Sequence, residues 1–173
     1  MNFYMPVKVY SEENCVLNHA AELAALGTRA LIVTGKNSAR RCGAFDDVTS
    51  ALEKYGVSWV EFAEVEENPS VETLMRARKV GCKVEADFVI GIGGGSPMDA
   101  AKAIALMMQH PDKGWEYMYD KGAETSTAGS VLVSLQAKSG TQTAPRNNCW
   151  PVQGPTRPPR GERSSVPPQT LVL

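Results

Sequence analysis

The sequence predicts a doubly wound α/β fold, a mostly parallel sheet with helices on both faces, and three observations carry that prediction. Short apolar runs rich in β-branched residues alternate with stretches of helical period. The run at 88–92 (FVIGI) is apolar on both faces, as suits a central strand covered on both sides. Glycines punctuate the ends of the helical stretches.

Taken in order, a weak strand is expected at 7–10 and a helix at 15–26, where Val16, Ala20, Leu23 and Ala24 share one stripe. Residues 29–34 (RALIVT) read as a buried strand, 44–55 as a helix, 58–62 (SWVEF) as an alternating strand and 70–80 as a helix opened by Ser70. Gly27, Gly56 and Gly81 stand where a left-handed residue would close each helix. After 88–92 a last helix follows, on the stripe Ala101, Ile104, Ala105 and Met108.

Composition divides the chain of 173 residues near residue 127. Residues 128–173 hold seven of the eleven prolines, and Pro, Gly, Ser, Thr and Gln fill 24 of those 46 positions. Such a segment cannot bury enough apolar surface to offset its ordering entropy, so an irregular or disordered tail is expected there. It carries Lys138, Arg146, Arg157, Arg160 and Arg163 against Glu162, which leaves the acidic residues 1–127 as the folded domain. The basic tail has no aromatic platform beyond Trp150, so nucleic acid is not an expected partner.

No run of 18 apolar residues occurs and the first twelve residues lack signal-peptide character, so a cytoplasmic protein without a membrane partner is expected. Cys15, Cys42, Cys82 and Cys149 form no C-x-x-C pair, and neither a zinc knuckle nor a disulfide framework is indicated. His19, in the first helix, and His110, beside Pro111, share no ligand spacing. Trp59, Trp115, Tyr117 and Tyr119 read as packing or edge residues.

The most informative stretch is GIGGGSPMDAAK, residues 91–102. Three consecutive glycines, Gly93, Gly94 and Gly95, remove every Cβ from the turn, so its backbone can adopt positive φ and approach a ligand closely. Ser96 reads as the helix N-cap, Pro97 as the first helical residue and Asp99 as the return partner of a capping box. Strand, bare turn and helix start together make an anion cradle, where unpaired amides and the helix dipole meet a diphosphate. Neither the complete dinucleotide fingerprint G-x-G-x-x-G nor a P-loop is present. The loops at Gly35-Lys36 and at Asn68-Pro69 also follow strands, and in a doubly wound sheet they share one rim with the glycine turn.

GIGGGSPMDAAKAIA, preceded by LIVTGKNS and ENPS in that order, resembles the iron-containing (group III) alcohol dehydrogenase family over roughly residues 1–125. The resemblance implies a Rossmann-like N-terminal domain binding a nicotinamide dinucleotide, followed in the family by a helical domain. It places Gly94, Gly95, Ser96, Pro97, Met98 and Asp99 along the pyrophosphate and nicotinamide side, Asn68 at the nicotinamide end and Gly35 at the adenosine ribose. For Asp99, a capping and a cofactor role stay open; Lys102 is expected to be a solvated surface residue. NAD-preferring members carry an acid where Gly35 stands, so NADP is expected to be tolerated or preferred over NAD.

Family members continue with a strand and a segment like T-A-G-T-G-S-E, echoed here at residues 125–130, and hold iron, or zinc, with an aspartate and three histidines. With two histidines in all, this chain is expected to bind no metal and to provide no catalytic residue, as a truncated or frameshifted form would. The intact family reaction is hydride transfer between the nicotinamide and a primary alcohol or aldehyde. A non-catalytic nucleotide-binding module, or a nonfunctional remnant, is the alternative expectation. The face left without its helical domain is expected to favour homo-oligomers.

Overall fold

A computed structural model describes residues 7–119, 130–134 and 170–172. In chain order it comprises β1 (Val7–Val9), α1 (Cys15–Asn18), α2 (Ala20–Ala24), β2 (Arg29–Gly35), α3 (Ser38–Arg41), α4 (Ala44–Lys54) and β3 (Ser58–Val65). There follow α5 (Val71–Lys83), β4 (Phe88–Gly93), α6 (Gly95–Gln109), a 3-10 turn (Trp115–Tyr119), β5 (Ser130–Ser134) and β6 (Thr170–Val172). All strand pairs are parallel, in the order β1-β6-β5-β4-β2-β3.

The alternation of β2 builds the two layers. Ala30 and Ile32 face a core with α1, α2, α3 and α4, through Leu23, Ala39, Val48 and Leu52. Leu31 and Val33 face the opposite core with α5 and α6, through Leu74, Ala77, Ala101 and Ile104. Each fully buried Val, Leu or Ile among them contributes about 1.5–3 kcal/mol of transfer free energy. A doubly wound α/β sheet with helices on both faces is therefore what the chain forms.

Asp87 aligns the starting ends of β2 and β4. Its carboxylate accepts from the Thr28 amide at 2.7 Å, the Thr28 hydroxyl at 3.0 Å and the Arg29 amide at 3.0 Å. Partial burial pushes the Asp87 pKa up, but these hydrogen bonds outweigh it and hold the carboxyl below its ordinary value.

Several local expectations are corrected. The first helix is two pieces, broken at His19 (φ −105°, ψ 20°), whose ring stacks on Tyr10 at 3.5 Å. Gly56 closes α4 at φ 71° as expected, but Gly81 lies inside α5 and Gly27 is not left-handed. Their constraint is tertiary: a Cβ would come within 2.6 Å of Met108 Sδ at Gly81 and within 2.3 Å of Asp87 Oδ1 at Gly27. The folded part also reaches past residue 127, since β5 pairs with β4 and β6 lies between β5 and β1. The short apolar runs Val131-Leu132-Val133 and Leu171-Val172 have strand propensity that the polar average of the tail conceals.

No helix among the described residues is long and apolar enough to cross a membrane.

Candidate functional site

Three loops leave the carboxyl ends of β2, β3 and β4, and they meet around Pro97. The Gly93 backbone has φ 153°, a conformation side chains disfavour, and a Cβ there would lie 2.6 Å from Pro97 Cγ. A Cβ on Gly35 would lie 3.9 Å from the same Pro97 Cγ, so the β2 loop borders the glycine turn. The Ser96 hydroxyl accepts from the Asn68 amide at 3.3 Å, which brings in the β3–α5 loop.

Gly94 and Gly95 form the open part of this rim. Both are exposed, and nothing lies within 4 Å of a Cβ built on either one. Gly94 is extended (φ −80°, ψ −155°) and is the N-cap of α6, so the helix starts two residues earlier than Ser96 as cap would give. Ser96 is bonded to Asn68 rather than to its own helix, and Asp99 pairs with Lys102 at 3.1 Å instead of closing a capping box. Helix geometry leaves the Gly95 and Ser96 amides without intrahelical acceptors at the positive end of a fifteen-residue helix. A preformed, side-chain-free anion cradle of this kind suits a phosphate or diphosphate.

Pro97 is buried, filling the space between Gly93 and Gly35, while Met98 packs partly into the core under α6. Asp99 and Lys102 are an exposed ion pair one turn along. Gly35, Asn68, Gly94, Gly95 and Ser96 thus border one rim, whereas Pro97 and Met98 support it from beneath.

Two networks behind the rim carry residues that sequence reading missed. Glu66 Oε1 accepts from the Ser70 amide and the Thr73 hydroxyl, both at 2.9 Å, while the Ser70 side chain caps α5 through the Thr73 amide at 3.3 Å. The Ser70 amide is the main cause that pushes the Glu66 pKa down to about 2, from 4.5. The only sequence signal was an acid four residues before a helix cap. On the other flank Glu61 accepts from Thr34 at 3.3 Å and is ion-paired with Arg40, whose guanidinium lies 4.0 Å from the Phe45 ring centroid.

The histidines take no part in a metal centre among the described residues. His19 Nε2 is 3.1 Å from Glu12, and His110, which ends α6, lies 4.5 Å from the Tyr117 ring. No group of three or more His, Cys, Asp or Glu among the described residues could hold a metal ion. The donor set that iron or zinc needs is not assembled among them. Residues 125–129, part of the echo of the T-A-G-T-G-S-E segment, lie outside the described residues.

The family model "Iron-containing alcohol dehydrogenase" matches residues 6–146. The chain is similar to the long-chain primary alcohol dehydrogenase AdhA of Thermoanaerobacter ethanolicus, with 37% identity over 113 residues, 65% of this chain and 28% of that protein. It is also similar to an NADPH-dependent butanol dehydrogenase of Clostridium saccharobutylicum, with 33% identity over 68% of this chain and 30% of that protein. Among solved structures, an iron-containing alcohol dehydrogenase of Thermotoga maritima superposes with a TM-score of 0.73 and 38% identity, over 77% of this chain and 37% of its own. The chain thus spans well under half the length of the relatives it matches.

Proposed function

Because the chain belongs to the iron-containing alcohol dehydrogenase family, we propose that its rim of three loops binds a nicotinamide dinucleotide for hydride transfer with a primary alcohol or aldehyde. The observation that carries the reading is the open space over Gly94 and Gly95 at the head of α6, bordered by Gly35 and Asn68. The Gly95 and Ser96 amides hold the pyrophosphate, and Asn68 orients the nicotinamide end. When bound, the nicotinamide accepts or gives the hydride.

The adenosine ribose lies at Gly35, next to Lys36. Without a carboxylate there, nothing repels a 2′-phosphate, and NADP is accepted at least as well as NAD. The family match continues to residue 146, past the residue near 125 at which the resemblance was expected to end. The described residues carry the cofactor half of the reaction, and the metal half needs ligands they do not assemble.

Titration of the full chain with NADPH and with NADH, followed by nicotinamide fluorescence, tests the reading. Saturable binding of at least one is expected; failure of both to bind would overturn it.

A further inference from the structure

The β3–α5 loop carries Asn68 in the left-handed region at φ 55°, a conformation that costs free energy for a residue with a side chain. In this arrangement the Asn68 amide reaches the Ser96 hydroxyl at 3.3 Å, so what holds the loop also holds that bond. Glu66 is placed to do so. One of its carboxylate oxygens takes both the Ser70 amide and the Thr73 hydroxyl, which closes the segment 66–70 into a loop against the start of α5. Ser70 is itself fixed as the cap of α5, and Arg76 donates to the Thr73 hydroxyl at 3.2 Å. Glu66 thus ties the segment that contains Asn68 to the start of α5, and Asn68 in turn bonds to Ser96 at the glycine turn.

We propose that Glu66 is a positioning residue of the dinucleotide site: it holds Asn68 so that its amide occupies a lone pair of Ser96, leaving the Ser96 hydroxyl hydrogen directed at the pyrophosphate. A hydroxyl donates one hydrogen and accepts through its lone pairs, so a fixed donor at its oxygen restricts where its own hydrogen points. A carboxylate at a helix start is also favoured by the dipole, which keeps Glu66 in place without contact with the ligand. This inference rests on the proposed dinucleotide site.

The test compares full-length wild type with Glu66→Ala and Glu66→Gln, using ADP-ribose as the probe and backbone amide exchange as an independent readout. Glu66→Ala is expected to weaken ADP-ribose binding about tenfold, the equivalent of about 1.4 kcal/mol. Glu66→Gln keeps an oxygen that can accept both hydrogen bonds, and binding within about threefold of wild type is expected. In the ligand-free protein, Glu66→Ala should speed exchange at Asn68 while Ile90, in the central strand β4, stays protected.

Unchanged ADP-ribose affinity in Glu66→Ala, no rescue by Glu66→Gln, or loss of protection at Ile90 together with Asn68 would each overturn the proposal. If wild type fails to bind ADP-ribose, the dinucleotide reading falls, and exchange at Asn68 still decides whether Glu66 holds the loop.

Discussion

A Cβ on Gly91 would lie 2.7 Å from the Cβ of Ala101, so strand β4 and helix α6 touch backbone to side chain just below the rim. The four glycines from 91 to 95 that enclose Ile92 therefore do different jobs. Gly91 permits close packing, Gly93 permits a positive φ against Pro97, and Gly94 and Gly95 keep a space open. Substitution separates these roles. Gly91→Ala and Gly93→Ala should each cost about 1–3 kcal/mol by overpacking or strain, read as a lower midpoint in urea. Gly95→Leu should leave that midpoint unchanged or raised, since its Cβ meets nothing and glycine is a poor helix former. The same variant should lose NADPH binding by more than about tenfold, or about 1.4 kcal/mol. Retained binding in Gly95→Leu would remove the cradle from the site.

The parts legible in the sequence were those fixed by local chemistry. The strands β2 and β4 show as apolar runs because both faces are buried, and Ser70 shows as a cap because its own hydroxyl does the capping. Ser96 misleads for the opposite reason: its hydroxyl is engaged by Asn68, twenty-eight residues away in sequence, so the cap passes to Gly94. Gly81 likewise answers to Met108 on another helix. Glu66 was passed over because an acid in a turn gives no sign of which amides it will reach.

With the adenosine ribose proposed to lie at Gly35, that position is where cofactor choice is tested. A Cβ there would make only ordinary contacts, at 3.5 Å from the Val65 carbonyl and 3.7 Å from Ser38 Oγ, so a side chain fits without rebuilding the loop. Gly35→Asp should weaken NADPH binding about tenfold by charge repulsion while sparing or improving NADH. Parallel titrations of both cofactors check this, and an equal loss for both would point to a steric effect instead.

Acid should loosen the β3–α5 loop within a defined window. The Glu66 pKa is pushed down from 4.5 to about 2 on folding, so its contribution is complete above pH 4.5 and is lost as pH falls toward about 2. Glu66→Gln does not titrate and should flatten the pH dependence of the urea midpoint across that interval. An unchanged slope in the variant would assign the acid sensitivity to other carboxylates, Asp87 first among them.

Arg78 is buried and anchors the end of α6. Its guanidinium donates to the carbonyls of Lys113 at 2.9 Å, His110 at 3.2 Å and Pro111, carrying positive charge to the negative pole of that helix. Arg78→Met keeps the apolar stem but strands three acceptors, and a loss of about 2–4 kcal/mol is expected in urea unfolding. Because the cradle lies at the other end of α6, NADPH affinity measured well below the unfolding midpoint should stay within about twofold of wild type, roughly 0.4 kcal/mol.

Metal dependence separates the cofactor half from the complete reaction. The family resemblance requires an aspartate and three histidines, while this chain has two histidines, one stacked on Tyr10 and the other at the end of α6 against Tyr117. Since one lies at the break between α1 and α2 and the other just past α6, and neither belongs to a metal-binding group among the described residues, added Fe(II) or Zn(II) has no assembled ligand set to enter there. The purified chain, given NADP, a primary alcohol and either metal, should therefore bind the cofactor yet reduce none of it above background at 340 nm, about the wavelength at which reduced nicotinamide absorbs. Metal-dependent turnover would mean that residues outside those described complete the site, and the division into a cofactor half and a metal half would have to be redrawn.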